Sequence, residues 1–302
     1  MSKPYPLVVT VILNWNGLDD TRECLESLKS ATYPNQKIIV VDNGSELDEA
    51  AALEREFSDL IKVIRNERNL GFAGGANVGI RRALTENAAY VLLLNNDVTV
   101  APEFLGELVA FASGRPNVAA LCPKAYFADR PNTLYSAGGK ASVWTGVARQ
   151  IGRGDTDDGQ FEQPAERDYA DGLCMLIPAA ALNTVGLLDE DYFAYWEETD
   201  WCFRARAAGL RCYYVPSARV WHKAGRSQQA SHEYNFRYRR NSLMFVRKRG
   251  GALNFVVALF TQAFFYAPAY FIRHPRRLGR APSELRAVIW HASNRVRRRP
   301  LL

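Results

Sequence analysis

Along the first 122 residues, short apolar runs alternate with stretches whose apolar side chains recur at helical spacing. Val8–Leu13 is a continuous β-branched run, and Leu18, Leu25 and Leu28 mark the apolar stripe of a helix over Leu18–Lys29, with Asp19 and Asp20 in its first turn, where the helix dipole favours acids. Ile38–Val41 reads as a second strand, Glu46–Phe57 as a helix and Ile61–Ile64 as a third strand. The Gly-rich segment Asn69–Asn77 opens another helix that reaches about Asn87. Tyr90–Leu94, a helix over Pro102–Ser113 with proline in its first turn, and Val118–Cys122 complete the series. Buried strands alternating with helices predict an α/β fold: a mostly parallel sheet with helices on both faces. In such sheets ligands bind beyond the carboxyl ends of the strands. Those ends carry Asn14-Trp15-Asn16-Gly17, Asp42-Asn43-Gly44 and Asn95-Asn96-Asp97.

The pattern then breaks. Residues 128–168 are polar and glycine-marked, and read as an irregular surface excursion. Order returns over Tyr169–Pro178, in a helix over Tyr195–Ala208 that stops at Gly209, and in strands at Arg211–Val215 and Val220–His222. The last segment changes character. Ala252–Ile272 is 21 residues without a charge, flanked by Arg247-Lys248-Arg249 and by Arg273, Arg276 and Arg277. Basic residues on both flanks, with Pro268 inside, fit a helix that dips into or lies on a bilayer better than one that crosses it; a buried core helix is the alternative.

Charge sharpens this division. Residues 235–302 hold fifteen Arg or Lys against the single acid Glu284, a balance of +14, so the +6 of the whole chain leaves −8 on the first 234 residues. The expected organisation is an acidic body over 1–234 and a basic, apolar helical segment over 235–302 suited to an anionic membrane surface. With 48% hydrophobic and 23% charged residues, the composition excludes a disordered chain or a disulfide scaffold. Five cysteines without CxxC spacing predict reduced, buried thiols in a cytosolic setting, and no signal peptide is visible.

The strand ends carry the candidate chemistry. Asp97, projecting from a sheet edge, suits Mg²⁺ or Mn²⁺, which take oxygen ligands and fill their remaining positions with water and substrate phosphates; alone it could equally cap the next helix. Asp42 can accept from a base imide N–H or a ribose hydroxyl, or simply form an Asx turn. The glycines of Asn69–Asn77 would let backbone N–H groups approach an anion, but they match no phosphate-loop pattern and follow the third strand, where a dinucleotide fold has them after the first. Glu197-Glu198-Thr199-Asp200 places three acids at a helix start, with 197 and 200 on one face and 198 roughly 100° away. Crowded carboxylates raise one another's pKa, so one could act as a general base near neutral pH. Trp196 and Trp201 beside them could form a sugar platform or belong to the core. His222 closes a strand and matters chemically only if it lies near Asp97.

In this order and spacing, Val11–Gly17, Val40–Ser45, Asn69–Asn77, Leu93–Asp97, Leu187–Glu190, Tyr195–Asp200 and Val220–His222 resemble a family 2 inverting glycosyltransferase of GT-A fold, most nearly its rhamnosyltransferase-like branch, over roughly residues 6–250. The resemblance implies a nucleotide site of Asn14, Asn16, Asp42, Asn69, Gly71, Phe72, Asn77 and Asn96. It implies a metal held by Asp97 and His222, and a catalytic base among Glu197, Glu198 and Asp200, with Glu198 aligned best. Trp196 and Asp171 would meet the acceptor. Asn95 replaces the first carboxylate of the family's DxD motif, and Glu197-Glu198 replaces its common Glu-Asp. The implied reaction moves a sugar such as L-rhamnose from a dTDP- or UDP-sugar to a lipid-linked saccharide in cell-envelope polysaccharide synthesis, with Mg²⁺ or Mn²⁺ as cofactor. The enzyme would work on the cytoplasmic face of the inner membrane, peripheral or monotopic, without nucleic acid. A nucleotide-cofactor oxidoreductase and a non-catalytic membrane or nucleic-acid adaptor are the competing classes.

Overall fold

The structure, a computed structural model, describes residues 5–224, 232–266 and 283–293. It forms two compact units, the first comprising 1–140, 150–193 and 197–224, the second 141–149, 194–196 and 225–302.

The first unit is built on a mixed sheet. Strands β1 (Val8–Asn14), β2 (Gln36–Asp42), β3 (Ile61–Arg65) and β4 (Tyr90–Asn95) run parallel in the order β4-β1-β2-β3. Helices α1 (Leu18–Lys29), α2 (Glu49–Glu56) and α3 (Gly71–Thr85) connect them, at or within a few residues of the spans that the apolar periodicity predicts. The α2 helix starts later than its pattern suggests, because Asp48 caps it by accepting from the Ala51 amide.

Beyond β4 the sheet departs from the expected parallel order. After β5 (Val98–Val100), α4 (Phe104–Ala112) and β6 (Val118–Phe127) comes β11 (Cys174–Pro178), which runs antiparallel between β4 and β6. Strand β12 (Arg211–His222) is one strand where two were expected; a register shift between Val215 and Arg219 joins the halves as it follows β6 in parallel. Residues 128–168 are not irregular. They carry the short strands β7 (Leu134–Ser136), β8 (Gly139–Ser142), β9 (Val147–Gln150) and β10 (Ala165–Arg167). Part of this excursion is fastened to the sheet through Lys124 of β6, which is wholly buried and ion-paired with Asp157 and Glu162, while the Tyr126 hydroxyl also donates to Asp157.

The glycines of α3 serve packing. A Cβ at Gly75 would stand 2.4 Å from Leu13 Cδ1, and one at Gly79 would stand 2.2 Å from Val11 Cγ1, so the helix lies on β1 at a distance only hydrogen allows. All five cysteines are free and buried.

In the second unit, α7 (His232–Arg249), α8 (Ala252–Thr261), a π-helical turn over Gln262–Tyr266 and α9 (Ser283–Ser293) surround Leu243, Met244, Phe245, Val246, Ala258 and Ala287. His291 Nε2 donates to the Arg240 carbonyl at 2.9 Å, and Gln262 donates to Ser242 Oγ at 2.6 Å. Leu253, Val256, Phe260, Phe264 and Phe265 are each more than half exposed. Among the described residues, no helix is long and apolar enough to cross a membrane. Residues 267–272 of the charge-free stretch, with Pro268, the basic flank at 273–277 and the Arg295–Arg299 end, lie outside the described residues.

Candidate active site

The carboxyl ends of β1, β2 and β4 bring the first group together. Asn14 and Asp42 are register partners across β1 and β2. Asn14 is buried and fully engaged: its amide nitrogen donates to Asp42 Oδ1 at 3.1 Å and Glu49 Oε2 at 2.8 Å, and its Oδ1 accepts from Thr21 Oγ1 at 2.7 Å. Ser45 donates to the same Asp42 Oδ1 at 2.5 Å. Asp42 Oδ2 is different. It is buried and, among the described residues, receives no hydrogen bond and has the Arg65 guanidinium 3.8 Å away as its ionic neighbour. One carboxylate oxygen is therefore locked in the protein and the other keeps open acceptor capacity. Asn14 holds Asp42 in place, and its own polar atoms are spent inside the protein.

The other residues expected at the nucleotide divide in the same way. Exposed Asn16 has a left-handed backbone, φ 50°, and its side chain accepts from the Glu46 amide at 2.9 Å. Asn69 Oδ1 takes the Gly71 amide at 2.7 Å, and the Phe193 carbonyl takes the Ala73 amide at 3.1 Å. Two N–H groups at the start of α3 thus have protein acceptors. Gly71 itself needs its φ of 75° and lies where a Cβ would collide with Phe193. Phe72 is half-buried. Asn77 is clamped to Leu188 through both its carbonyl and its amide, and to Glu190, which makes it a brace between α3 and the loop ahead of the acidic helix. Asn96 donates to Thr21 Oγ1 at 3.0 Å.

Strand pairing brings the second group together. A two-residue turn after β4 leads into β5, which pairs with β12 so that Val98 stands opposite His222. That register sets Asp97, one residue earlier, against the His222 ring: Oδ1 and Nε2 are 3.1 Å apart, and the Lys223 amide donates to the Asp97 carbonyl at 3.0 Å. His222 is buried, its Nδ1 has no partner, and the Tyr135 ring meets it edge-on at 4.4 Å. Tyr135, on β7, gave no sequence signal, because the short polar strands around it read as loop. Among the described residues no cluster of three or more His, Cys, Asp or Glu forms a metal cage. A carboxylate oxygen and an imidazole nitrogen converging this closely still fit Mg²⁺ or Mn²⁺ as a two-ligand protein site completed by water and substrate phosphates. Asn95 Oδ1, in the first motif position, is buried without a partner.

The third group sits on α6 (Glu197–Ala207). Asp200 anchors this helix: it is fully buried, pairs with Arg204 Nε at 3.0 Å and accepts from the Tyr192 hydroxyl at 2.9 Å. Arg204 also donates to the Val185 and Leu187 carbonyls, each at 2.7 Å. Both Asp200 oxygens are thus engaged inside the protein. Glu197 is buried with Oε2 unpartnered, and burial, then the Glu198 charge, hold its pKa far above the usual carboxylate range. Glu198 is half-buried and accepts from Thr199 Oγ1 at 3.2 Å. Burial and then the Asp171 charge push its pKa up to about 7. Of the three acids, Glu198 alone combines access with a proton affinity matched to neutral pH.

The two tryptophans are not an exposed platform. Trp201 is core, its indole N–H donating to the Gly186 carbonyl at 2.7 Å. Trp196 is 2% exposed, in the second unit, and packs on Phe245 and Tyr238 at 5.0 and 5.6 Å between ring centroids. The helix begins at Glu197, two residues later than its periodicity suggests, because Phe193, Tyr195 and Trp196 all have positive φ, 65°, 73° and 78°. Bulky residues in this region are strained, a condition that concentrates near functional sites.

A mixed sheet with Asp97 in the turn after its fourth strand and a helix headed by three acids defines a GT-A-like class, and solved structures agree. A mannosyltransferase from Pyrobaculum calidifontis in complex with GDP-Man and Mn²⁺ superposes with a TM-score of 0.61 at 14% identity, over 97% of this chain and 91% of its own. GalNAc-T7 with UDP, GalNAc and Mn²⁺ gives 0.63 at 18% identity, over 82% of this chain and 48% of its own. The model of glycosyl transferase family 2 matches residues 9–184, and the chain belongs to that family. Among relatives, the low-salt glycan biosynthesis hexosyltransferase Agl10 of Haloferax volcanii is 29% identical over 202 residues, 66% of this chain and 62% of Agl10. The dTDP-rhamnosyl transferase RfbF of Shigella flexneri is 24% identical over 221 residues, 72% of this chain and 69% of RfbF. This chain spans 26% of the Sinorhizobium fredii protein y4gI, to which it is 31% identical.

Proposed function

We propose that the protein is an inverting glycosyltransferase that moves a hexose, L-rhamnose or one similar, from a dTDP- or UDP-sugar to a lipid-linked saccharide. The observation that carries this reading is Glu198, an accessible carboxylate with a pKa near 7, in the same unit as Asp97–His222 and the open oxygen of Asp42.

Asp42 Oδ2 accepts from the base, with Asn14 and Ser45 fixing its orientation. Asp97 and His222 would hold Mg²⁺ or Mn²⁺, which when bound supplies positive charge against the departing diphosphate. Glu198 takes the proton of the acceptor hydroxyl as its oxygen attacks the anomeric carbon from the side opposite the diphosphate. One C–O bond forms, the C–O bond to phosphate breaks, and its electron pair leaves with the nucleoside diphosphate. A single displacement inverts the anomeric centre. The similarity to the hexosyltransferase Agl10 and to the dTDP-rhamnosyl transferase RfbF supports a hexosyl and specifically a rhamnosyl donor.

The second unit would dock on the cytoplasmic face of the inner membrane. Leu253, Val256, Phe260 and Phe264 recur every three or four residues, all exposed, just after Arg247-Lys248-Arg249. An apolar helical face beside basic residues is the composition of an interfacial helix, with each Lys or Arg near an anionic surface adding about 1 kcal/mol. A lipid-linked acceptor in polysaccharide synthesis follows from that location.

The test is purified full-length protein against UDP-, dTDP- and GDP-sugars with Mg²⁺ or Mn²⁺, reading nucleoside diphosphate release and the anomeric configuration of the product by NMR. Retention of configuration, or no binding of any nucleotide sugar, would refute the reading. Failure to co-sediment with anionic liposomes would refute the docking alone.

A further inference from the structure

Asp171 lies just ahead of β11, and its two oxygens live differently. Oδ1 accepts from the Leu173 amide at 3.3 Å, closing a tight turn into the strand. Oδ2 is buried and, among the described residues, without a partner, although the residue as a whole is 9% exposed. A buried acceptor left unpaired costs about 1–3 kcal/mol, more if charged, so such an atom is expected to find its donor in the working complex.

Its charged neighbour is Glu198. The segment 170–172 is laid along the first turns of α6. The Cys202 thiol lies beside the Ala170 backbone, and four residues earlier on the same helical face Glu198 packs on Gly172, where an added Cβ would stand 3.3 Å from Glu198 Cγ and 3.8 Å from its carboxyl carbon. Gly172 therefore lets the Glu198 stem pass close beside Asp171. Among the described residues, neither Asp171 nor Glu198 forms an ion pair with any Lys, Arg or His. The charged or titratable groups around Glu198 are Asp171 from this segment and, on α6 itself, Glu197 and Cys202. Two adjacent carboxyl groups with acceptor capacity and no protein cation suit a ligand rich in hydroxyl donors.

We propose that Asp171 Oδ2 binds a second hydroxyl of the acceptor saccharide, beside the hydroxyl that Glu198 deprotonates. The inference rests on the reading of Glu198 as base. Asp171 is then a specificity-determining residue: it selects an acceptor sugar with a free hydroxyl neighbouring the one glycosylated. The same negative charge holds the Glu198 proton more tightly, so that one residue sets both acceptor placement and basicity.

The experiment uses full-length protein carrying ¹³C-labelled glutamate carboxyls, with Glu198→Gln identifying the signal. Glu198 is expected to titrate near pH 7 in the wild type. In Asp171→Asn, which keeps an oxygen for the Leu173 amide, its midpoint should fall toward the ordinary carboxylate range. An unmoved midpoint overturns the coupling while leaving Glu198 as base. For the hydroxyl, methyl α-L-rhamnoside is added to protein with dTDP-rhamnose, reading both transfer and its slowing of donor hydrolysis. Asp171→Ala should raise the half-effective concentration roughly tenfold or more, the worth of one charge-assisted hydrogen bond, and Asp171→Asn should raise it less. Deoxy analogues lacking the neighbouring hydroxyl should not distinguish wild type from Asp171→Ala. Equal responses of wild type and Asp171→Ala to the full saccharide, or no response in the wild type, overturn the hydroxyl site. Loss of dTDP-rhamnose binding itself would instead overturn the functional reading.

Discussion

His222 Nε2 stands 3.1 Å from Asp97 Oδ1, although 125 positions separate the two in the chain. The pairing of β5 with β12 produces this meeting, and it gives the two residues a joint chemistry that neither has alone.

Asp97→Ala should abolish the Mn²⁺-dependent part of nucleotide binding, read by calorimetry with dTDP or UDP in metal and in EDTA. His222→Ala should weaken it less, since an imidazole contributes no negative charge to the ion. Equal nucleotide affinity with and without metal in the wild type would end this assignment.

Glu198→Gln keeps the side-chain shape and removes its basicity. Turnover should fall by ~10²-fold or more with donor affinity nearly intact. Because a base works deprotonated, wild-type kcat should climb with pH through about 7 and level off above it. A flat profile across that range would argue against Glu198.

The same shift has a stability consequence of opposite sign. A carboxyl whose folded pKa is raised favours folding while protonated, and this is lost as pH rises from the ordinary carboxylate value to about 7. Glu198→Gln should therefore raise Tm at pH 8 and leave it nearly unchanged at pH 4, with a gain of at most roughly 3 kcal/mol. Equal Tm differences at both pH values would contradict the burial that raises Glu198.

Asp200→Asn separates structure from chemistry. It leaves the half-buried Arg204 without its carboxylate, and breaking a pair this enclosed costs up to about 3–5 kcal/mol. Thermal unfolding should reveal that loss, whereas Glu198→Gln at the same pH shows none. A stable but inactive Asp200→Asn would move the catalytic role to Asp200.

Gly79→Ala tests how closely α3 lies on β1. Overpacking against Val11 costs about 1–3 kcal/mol, more than the roughly 1 kcal/mol of helix propensity that alanine returns. Adding Val11→Ala should restore part of the loss, a coupling visible in denaturant midpoints.

The parts of this architecture legible in the sequence are those written in apolar periodicity. β1 to β4 and their helices fall where the pattern places them, since β1, β2 and β4 are apolar and largely buried, the edge strand β3 keeps its apolar residues half-buried, and each helix has one apolar stripe. The direction of β11 was hidden, because a buried strand reads as the same apolar run whether its neighbours are parallel or antiparallel. Strands β7 to β10 were hidden by shortness and polarity. The start of α6 was misread because Tyr195 and Trp196 fit helical spacing while their backbones turn left-handed. At the site, the residue types at strand ends named Asp42, Asp97 and His222. Burial divided the rest: Asn14, Asn77 and Asp200 are polar residues in suggestive places whose hydrogen bonds are spent inside the protein, and Trp196 is an aromatic residue enclosed by others.

Lys124 carries a consequence for how the molecule comes apart. Its ammonium lies in the sheet and its counter-charges, Asp157 and Glu162, lie on the excursion, so lifting that segment away would strand a cation in an apolar interior. The segment around 157–162, which by length and polarity should fray freely, is instead bound to the fate of β6. Its amides should exchange with solvent on the timescale of global opening, and a protease should find it only when the whole sheet is lost.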